Sequence, residues 1–386
     1  MTIYLDNAAT SFPKPPSVAG AVQYALTEVG ANPGRAAHRK AREASAIVSG
    51  AREKAARLLG ISDPNHVIFT KNATESINVV LKGRLRTGDR VLISSMEHNA
   101  VIRPLRALGD LLGVQVEILP CDATGQLDLD DLRRSLADPP RLVVLNHASN
   151  VNGALQPAVE AARLCAERDV PLLLDAAQTA GVVPISAAEW GLGMLACSGH
   201  KALYGPSGVG VLYIRPDLDV RPLLEGGTGS RSEEDRQPSF RPDCFESGTL
   251  NLPGIAGLAA GIDFIMETGQ NAIRSHELEL ACILEENLAD LPGLTLYRPG
   301  ARGTGVVSFT IEGLNPGDVG YLLDEGYDIA VRTGLHCAPL AHRTLGSFPE
   351  GSVRVSPGYF TTREEIDQTC QALRQISQRH HRKRKG

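Results

Sequence analysis

The chain has 386 residues, 42% of them hydrophobic and 22% charged, with a formal net charge of -5; it can bury one large core or two unequal ones and has no overall attraction to nucleic acid or anionic lipid. The start MTIYLDNAAT has no basic region followed by an apolar core, and no later apolar stretch approaches the roughly 20 residues of a bilayer span, so a cytoplasmic protein without membrane contact is expected. Seven cysteines, an odd number without a C-x-x-C pair, argue against a disulfide framework and against a structural metal site.

In chain order, a helical pattern over Ala37 to Leu59 stops at Gly60, a residue suited to a left-handed cap. Apolar runs then follow at HVIFT (66–70), RVLISS (90–95), VQVEIL (114–119), RLVVLN (141–146) and PLLLD (171–175). They alternate with helix-period segments, among them Thr74 to Leu85 and Pro157 to Arg168, which is the pattern of parallel βαβ units. The polar stretch Gly226 to Arg241 is too charged and Gly-rich for a core and reads as a lid or a plain loop. From about Pro253 the texture changes to a long helical stretch, the strands VVSFTI, IAVRTG and SVRVS, and a final helix Arg363 to Ser377. The basic run Arg379 to Lys385 reads as a frayed tail. The predicted fold class is α/β. A large, mostly parallel-sheet domain is expected over 16–255, and a smaller α+β domain over 256–386, with 1–15 packing on the latter.

Chemistry first shows at SGHKALYGPSGVGVLYI (198–214), where Lys201 stands between an apolar approach and a Gly/Pro-rich turn. Such a lysine is either a solvated surface residue or a buried, easily deprotonated amine suited to Schiff-base chemistry. A Walker loop is excluded, because the lysine precedes the glycines and no Lys-Ser/Thr pair closes them. Upstream, LLLDAAQTAG (172–181) delivers Asp175 to the carboxyl edge of a strand. Asp175 could be a helix cap. Paired with Lys201 it meets another need, since a pyridoxal ring stores electrons only while a carboxylate keeps its nitrogen protonated.

These residues carry a resemblance. D-A-A-Q followed by S-G-H-K-x-x-G-P resembles the pyridoxal-phosphate enzymes of aminotransferase class V, specifically the cysteine desulfurases. The likeness runs in order through YLDNAAT (4–10), ATESIN (73–78), MEHNAV (96–101), HASNVNG (147–153), DAAQT (175–179), SGHK (198–201), ESGTLN (246–251) and RTGLHCAPL (332–340). It implies a fold-type I architecture. It also implies that His98 stacks on the pyridine ring as part of the catalytic set, that Asp175 pairs with the ring nitrogen, that Gln178 reaches the phenolic oxygen and that Asn150 lines the substrate side.

A phosphate requires unpaired N–H groups at a helix start. Ala73 and Thr74 open such a helix, Thr74 serving as cap, as phosphate donor or as both, with Ser198 and His200 completing the cup. By the resemblance Thr249 arrives from a partner subunit, which implies a homodimer. Cys337, in RTGLHCAPL, is either an inert buried cysteine or a reactive thiol. Arg332 and His336 beside it supply positive charge or a proton acceptor, which favours the thiolate; the role of His336 itself stays open. Arg354 matches the position that clamps a substrate carboxylate by a two-pronged contact, with Arg332 and Asn150 on the same substrate side.

The implied reaction takes L-cysteine to L-alanine with a persulfide on Cys337, cleared by an acceptor thiol or a sulfur-acceptor protein, in iron–sulfur cluster or thio-cofactor assembly. The segment around Cys337 resembles the group with a short catalytic-cysteine segment, although Leu335 stands where that group often has histidine. The alternatives are a selenocysteine lyase, which would share every motif, another class V aminotransferase or lyase, which would not need Cys337, and a sulfur-carrier scaffold without catalysis.

Overall fold

The computed structural model describes residues 2–34 and 38–385. Its N-terminal segment contributes strand β1 (Ile3–Tyr4), helix α1 (Pro16–Tyr24) and helix α2 (Arg39–Leu58). Of the helix expected from Ala37, that first residue lies outside the described residues. The central part runs β2 (Val67–Thr70), α3 (Ala73–Arg84), β3 (Arg90–Ser94), α4 (Asn99–Leu112), β4 (Gln115–Leu119), α5 (Leu129–Ser135), β5 (Leu142–Asn146), α6 (Ala158–Ala166), β6 (Leu172–Asp175), β7 (Met194–Ser198) and β8 (Gly210–Ile214). The rest comprises α7 (Leu252–Thr268), α8 (Gln270–Leu288), β9 (Leu294–Leu296), β10 (Val307–Ile311), α9 (Pro316–Tyr327), β11 (Ile329–Ala330), β12 (Arg332–Gly334), α10 (Pro339–Leu345), β13 (Ser352–Val355) and α11 (Arg363–Lys385).

Seven strands form one sheet in the order β2-β8-β7-β6-β5-β3-β4. Strands β4, β3, β5, β6 and β7 are mutually parallel, and β8 pairs antiparallel with both its neighbours. This is the expected α/β fold with a large, mostly parallel sheet. Alternation along the strands divides its apolar side chains between two cores. Leu92, Val143 and Leu145 enter one core, while Val91, Ile93, Leu142 and Val144 enter the other.

The second sheet, β12-β13-β10-β9, is antiparallel. Its core also takes Ile3 and Leu5, and β1 pairs parallel with β11. The run IAVRTG, expected as one strand, is divided: Ile329–Ala330 pairs with β1, and Arg332–Gly334 pairs with β13. The final helix continues to Lys385, so the backbone of the basic run is helical where a frayed tail was expected.

The long helical stretch after Pro253 breaks at Gly269, whose φ of +87° suits glycine. Helix α7 packs with α1 and α2, and Ile255, Leu258, Ile262 and Ile265 are buried in the core of the large sheet. Each such side chain contributes about 1.5–3 kcal/mol. By packing, then, α7 goes with the large sheet. Gly261 on this helix has a direct bearing on the site. A Cβ there would lie 2.4 Å from the carbonyl oxygen of Leu203, so only glycine lets the turn that follows Lys201 rest on α7.

Two features tie the motif segments to this frame. Arg52 forms a two-pronged ion pair with the buried Glu246, both contacts at 2.8 Å, and Glu246 also accepts the Phe69 N–H at 2.6 Å. The glutamate of ESGTLN therefore anchors that segment to α2 and β2. Gly351 packs on Gly334, and a Cβ at Gly351 would lie 2.2 Å from the Gly334 carbonyl carbon, at a φ of +82°. Gly334 leads directly into the segment carrying Cys337. Gly351→Ala is expected to lower stability by about 2–4 kcal/mol and to disturb that segment, as read by the denaturant midpoint and the alkylation rate of Cys337; an unchanged midpoint would contradict the packing.

Candidate active site

Strand β6 ends at Asp175, in register with Asn146 of β5 and Ala196 of β7, at the carboxyl edge where open α/β sheets bind ligands. The carboxylate is buried and accepts the Ala177 N–H at 3.0 Å, and burial raises its pKa. Lys201 follows β7 by three residues. Loss of water pushes its amine down to about 8, opposed chiefly by attraction to Asp175, while Arg354 and Arg332 repel it. Lys201 is thus a half-buried amine at the cavity wall whose pKa is lowered by loss of water, and the solvated surface-lysine reading is set aside.

Asp175 and Lys201 border a cavity of about 200 Å³. The cavity is also lined by Ala73 and Thr74 from the start of α3, His98, Asn150, Gln178, Ser198 and His200. Thr249 is the exception: it lines separate cavities near Phe245 and Gly248 and does not meet Lys201 within one chain. Thr74 is not the cap of α3. That role belongs to Asn72, whose Oδ1 accepts the Glu75 N–H at 2.9 Å, leaving Thr74 exposed in the first turn beside the cavity. The sequence reading missed Asn72, although Asn before an Ala-Thr-Glu run is a legible cap signal.

His98 caps α4, its Nδ1 accepting the Ala100 N–H at 3.0 Å. Burial, then repulsion from Lys201, pushes it down to about 4, so its ring is neutral with the hydrogen on Nε2. His200 is likewise pushed down to about 4 by burial and by Lys201.

The N-terminal segment closes over this loop. The His200 carbonyl accepts from Lys14 Nζ at 2.7 Å and Thr10 Oγ1 at 3.0 Å, Ser11 Oγ donates to the Lys201 carbonyl at 2.9 Å, and Gln178 Nε2 donates to the Ala8 carbonyl at 3.0 Å.

Arg354, on β13, is almost wholly buried. Its Nη2 donates to Asp6 Oδ1 at 2.7 Å and its Nη1 to the Asn150 carbonyl at 2.9 Å, while Nε has no partner among the described residues. The expected two-pronged clamp therefore has two of its three nitrogens already engaged. Arg332 sits across from Arg354 in the β12–β13 register. Neither Asp6 nor Lys14 was singled out in the sequence, because both reach the site only through strand pairing and loop contacts hundreds of residues away.

Cys337 is exposed, at the third position of a turn closed by the Ala338 N–H donating to the Leu335 carbonyl at 2.8 Å. His336 and Cys337 have φ of +48° and +58°, the left-handed pair of a type I′ turn, which for two non-glycine residues costs on the order of 1–3 kcal/mol each. The turn is pinned by the Asn99 N–H donating to the Cys337 carbonyl at 2.8 Å and by Asn150 Nδ2 donating to the His336 carbonyl at 2.7 Å. Cys337 is near enough to Lys201 for a thiolate to favour the charged amine. The inert-core reading of this cysteine is excluded by its exposure.

His336 supplies no charge, contrary to one sequence expectation. It is buried, its Nε2 meets Ser352 Oγ at 3.1 Å, and burial with the repulsion of Arg354 pushes it down to about 2. Arg332 is left as the cation of that segment.

The aminotransferase class V family model matches residues 3–369. The chain belongs to the aminotransferase class V family. Among curated relatives of this class V chain, a probable cysteine desulfurase of Methanothermobacter thermautotrophicus is 34% identical, with 97% of this chain and 94% of the relative covered. A cysteine desulfurase of Pectobacterium atrosepticum is 35% identical, with 97% and 92% covered. The apo structure of a cysteine desulfurase from Thermococcus onnurineus superposes with a TM-score of 0.92 at 33% identity, over 98% of this chain and 95% of that one. A cysteine desulfurase from Escherichia coli gives 0.87 at 31% identity, over 96% and 94%.

The cofactor of this class V chain is pyridoxal phosphate, and the residues present fit it. An amine with lowered pKa faces a buried carboxylate, a neutral imidazole borders the same cavity, and the first residues of α3, Ala73 and Thr74, line it as well.

Two outcomes follow. The rate at which the cofactor-free protein takes up pyridoxal phosphate covalently should rise with pH through a midpoint near about 8, where Lys201 loses its proton; a midpoint near the ordinary lysine value of about 10.4 would contradict the burial of the amine. His336→Asn should lower the melting temperature but leave the pH dependence of Cys337 alkylation unchanged, because His336 is neutral at every pH where the thiol ionises; a shifted profile would restore His336 as its proton acceptor.

Proposed function

We propose that the protein is a pyridoxal-phosphate-dependent cysteine desulfurase, converting L-cysteine to L-alanine and taking the sulfur onto Cys337. The observation that carries this reading is the exposed thiol of Cys337, presented on a strained turn pinned to Asn99 and Asn150, near the half-buried Lys201 and the buried Asp175. An aminotransferase or lyase using Lys201 and Asp175 alone has no use for such a thiol.

The roles divide as follows. The bound cofactor supplies an electron sink for the bond changes at the substrate's α and β carbons. Asp175 holds a proton against the ring nitrogen, and His98, neutral, offers its ring face and Nε2–H. Thr74, Ser198 and His200, with the N–H groups at the start of α3, receive the phosphate. Lys201 would hold the cofactor and, as a free amine, would move the substrate's Cα proton. Arg354 and Arg332 hold the substrate carboxylate, with Asn150 on the substrate side. Cys337 thiolate then attacks the substrate sulfur: the substrate C–S bond breaks, an S–S bond forms, and the β carbon takes a proton. The products are alanine and a persulfide.

Thr249, exposed and away from its own chain's Lys201, is placed in this reading at the site of a second subunit, so the working unit is a homodimer. The persulfide passes to an acceptor thiol or a sulfur-acceptor protein. The division into a large cofactor-binding part and a small part carrying Cys337 lets the turn approach the substrate. Among the described residues no helix is long and apolar enough to cross a membrane.

The test is incubation with L-cysteine, measuring alanine and sulfide with and without a reducing thiol. Wild type should release alanine in both cases, with many turnovers only when the thiol is present. Cys337→Ser should retain cofactor yet lose alanine formation by orders of magnitude, since a hydroxyl is a poor sulfur acceptor. Alanine release at the wild-type rate would leave a class V enzyme of another activity.

A further inference from the structure

Glu97, immediately before His98, is fully buried at the end of β3. Its Oε1 accepts from Ser94 Oγ at 2.6 Å and from the Asn146 N–H at 2.9 Å, whereas Oε2 has no hydrogen-bond partner among the described residues. Asn146 lines the cavity and stands opposite Asp175 in the β5–β6 register, which places Glu97 one strand from that carboxylate. The titratable groups that act on Glu97 are Asp175 from β6 and Cys121 beyond β4; the first repels a second negative charge and Cys121 is pushed up to about 11, while the adjacent His98 is neutral. No cation lies within ion-pair distance of it among the described residues. A buried carboxylate with one oxygen unpaired and another carboxylate for a neighbour is far costlier than the neutral acid.

We propose that Glu97 is held as a neutral carboxylic acid and is a positioning residue for the cofactor site, pinning the ends of β3 and β5 beneath the cavity while leaving Asp175 the only negative charge there. Burial pushing its carboxyl up to about 8 agrees with this. Oε1 takes the two hydrogen bonds and Oε2 carries the proton. Ionisation would set a second charge beside Asp175 and draw the strand ends toward water. The inference rests on the reading of Asp175 as the partner of the cofactor ring.

The sign of its pH effect is fixed. The folded protein keeps a proton that the unfolded chain releases above about 4.5, so this group's share of stability falls as pH rises from there to about 8. Glutamine reproduces the neutral acid's shape without that loss. Thermal unfolding of the holoenzyme should therefore give Glu97→Gln a melting temperature close to wild type near pH 4.5, exceeding it by a few degrees above pH ~8, with cofactor affinity within about threefold. Glu97→Ala, checked for intact secondary structure by circular dichroism, orphans the Asn146 N–H and the Ser94 hydroxyl and should weaken cofactor binding roughly tenfold or more.

A melting-temperature difference that is constant with pH, or a glutamine variant less stable throughout, would show an ionised Glu97 and overturn the proposal. So would an alanine variant that binds the cofactor as wild type does. Asp175→Asn separates the two readings: full activity in that variant would remove the partner role of Asp175 while leaving the pH linkage of Glu97 standing.

Discussion

The structure turns on withdrawing two opposite charges, Lys201 and Asp175, from water at one edge of a sheet. Neither is comfortable alone: burial lowers the lysine to about 8, opposed first by Asp175, and raises the aspartate, opposed first by the Ala177 N–H and then by Lys201. A surface ion pair of this kind would be worth little. Inside a cavity it yields an amine that loses its proton near about 8, well below the ordinary lysine value of about 10.4, beside a carboxylate able to hold a proton elsewhere. Much of the large sheet serves that end, since parallel β5, β6 and β7 bring Asn146, Asp175 and Ser198 to one edge, and Gly261 lets the turn after Lys201 settle on α7.

The surrounding groups keep the field around that pair simple. His98, His200 and His336 are all neutral, each pushed down first by burial. Positive charge is left to the arginines Arg332 and Arg354, the second oriented by Asp6 and by the Asn150 carbonyl. The N-terminal segment is therefore part of the site: Asp6 orients an arginine, Ala8 holds Gln178, and Thr10, Ser11 and Lys14 clamp the carbonyls of His200 and Lys201. The thiol is presented by a different device, a two-residue left-handed turn entered through the Gly334 and Gly351 contact and pinned to the start of α4.

What the sequence revealed is what local pattern encodes. Strands β2 to β6 lie within a residue of the runs HVIFT, RVLISS, VQVEIL, RLVVLN and PLLLD; β5 and β6, buried on both faces, demand unbroken apolar runs. Ala73, Thr74, His98, Asp175, Ser198 and Lys201, which line the cavity, were legible because each sits in a short motif near a strand end or helix start, whereas Asn72 and Asn146, which line it too, were not singled out. What failed depended on distance. Helix α7 has the same helical texture as α8, and only packing against α1 and α2 assigns it to the large sheet. IAVRTG is continuous in pattern, and its split between two sheets is decided by β1 and β13. His336 looked like a charge donor beside Cys337 because adjacency in sequence conceals that its ring turns toward Ser352. Glu97 and Asp6 drew no notice, since an acidic residue in a motif carries no sign of whether water reaches it.

The central claim is that sulfur from free cysteine is taken up on Cys337 and on no other thiol of this chain. Its most direct test is to treat the holoenzyme with L-cysteine, alkylate it without reduction, and locate the added sulfur by peptide mass spectrometry across all seven cysteines. The account predicts one extra sulfur on the peptide containing Cys337, removed by a reducing thiol, and none on the exposed Cys282. Sulfur on Cys282 with Cys337 unmodified, or no added sulfur while alanine accumulates, would contradict it.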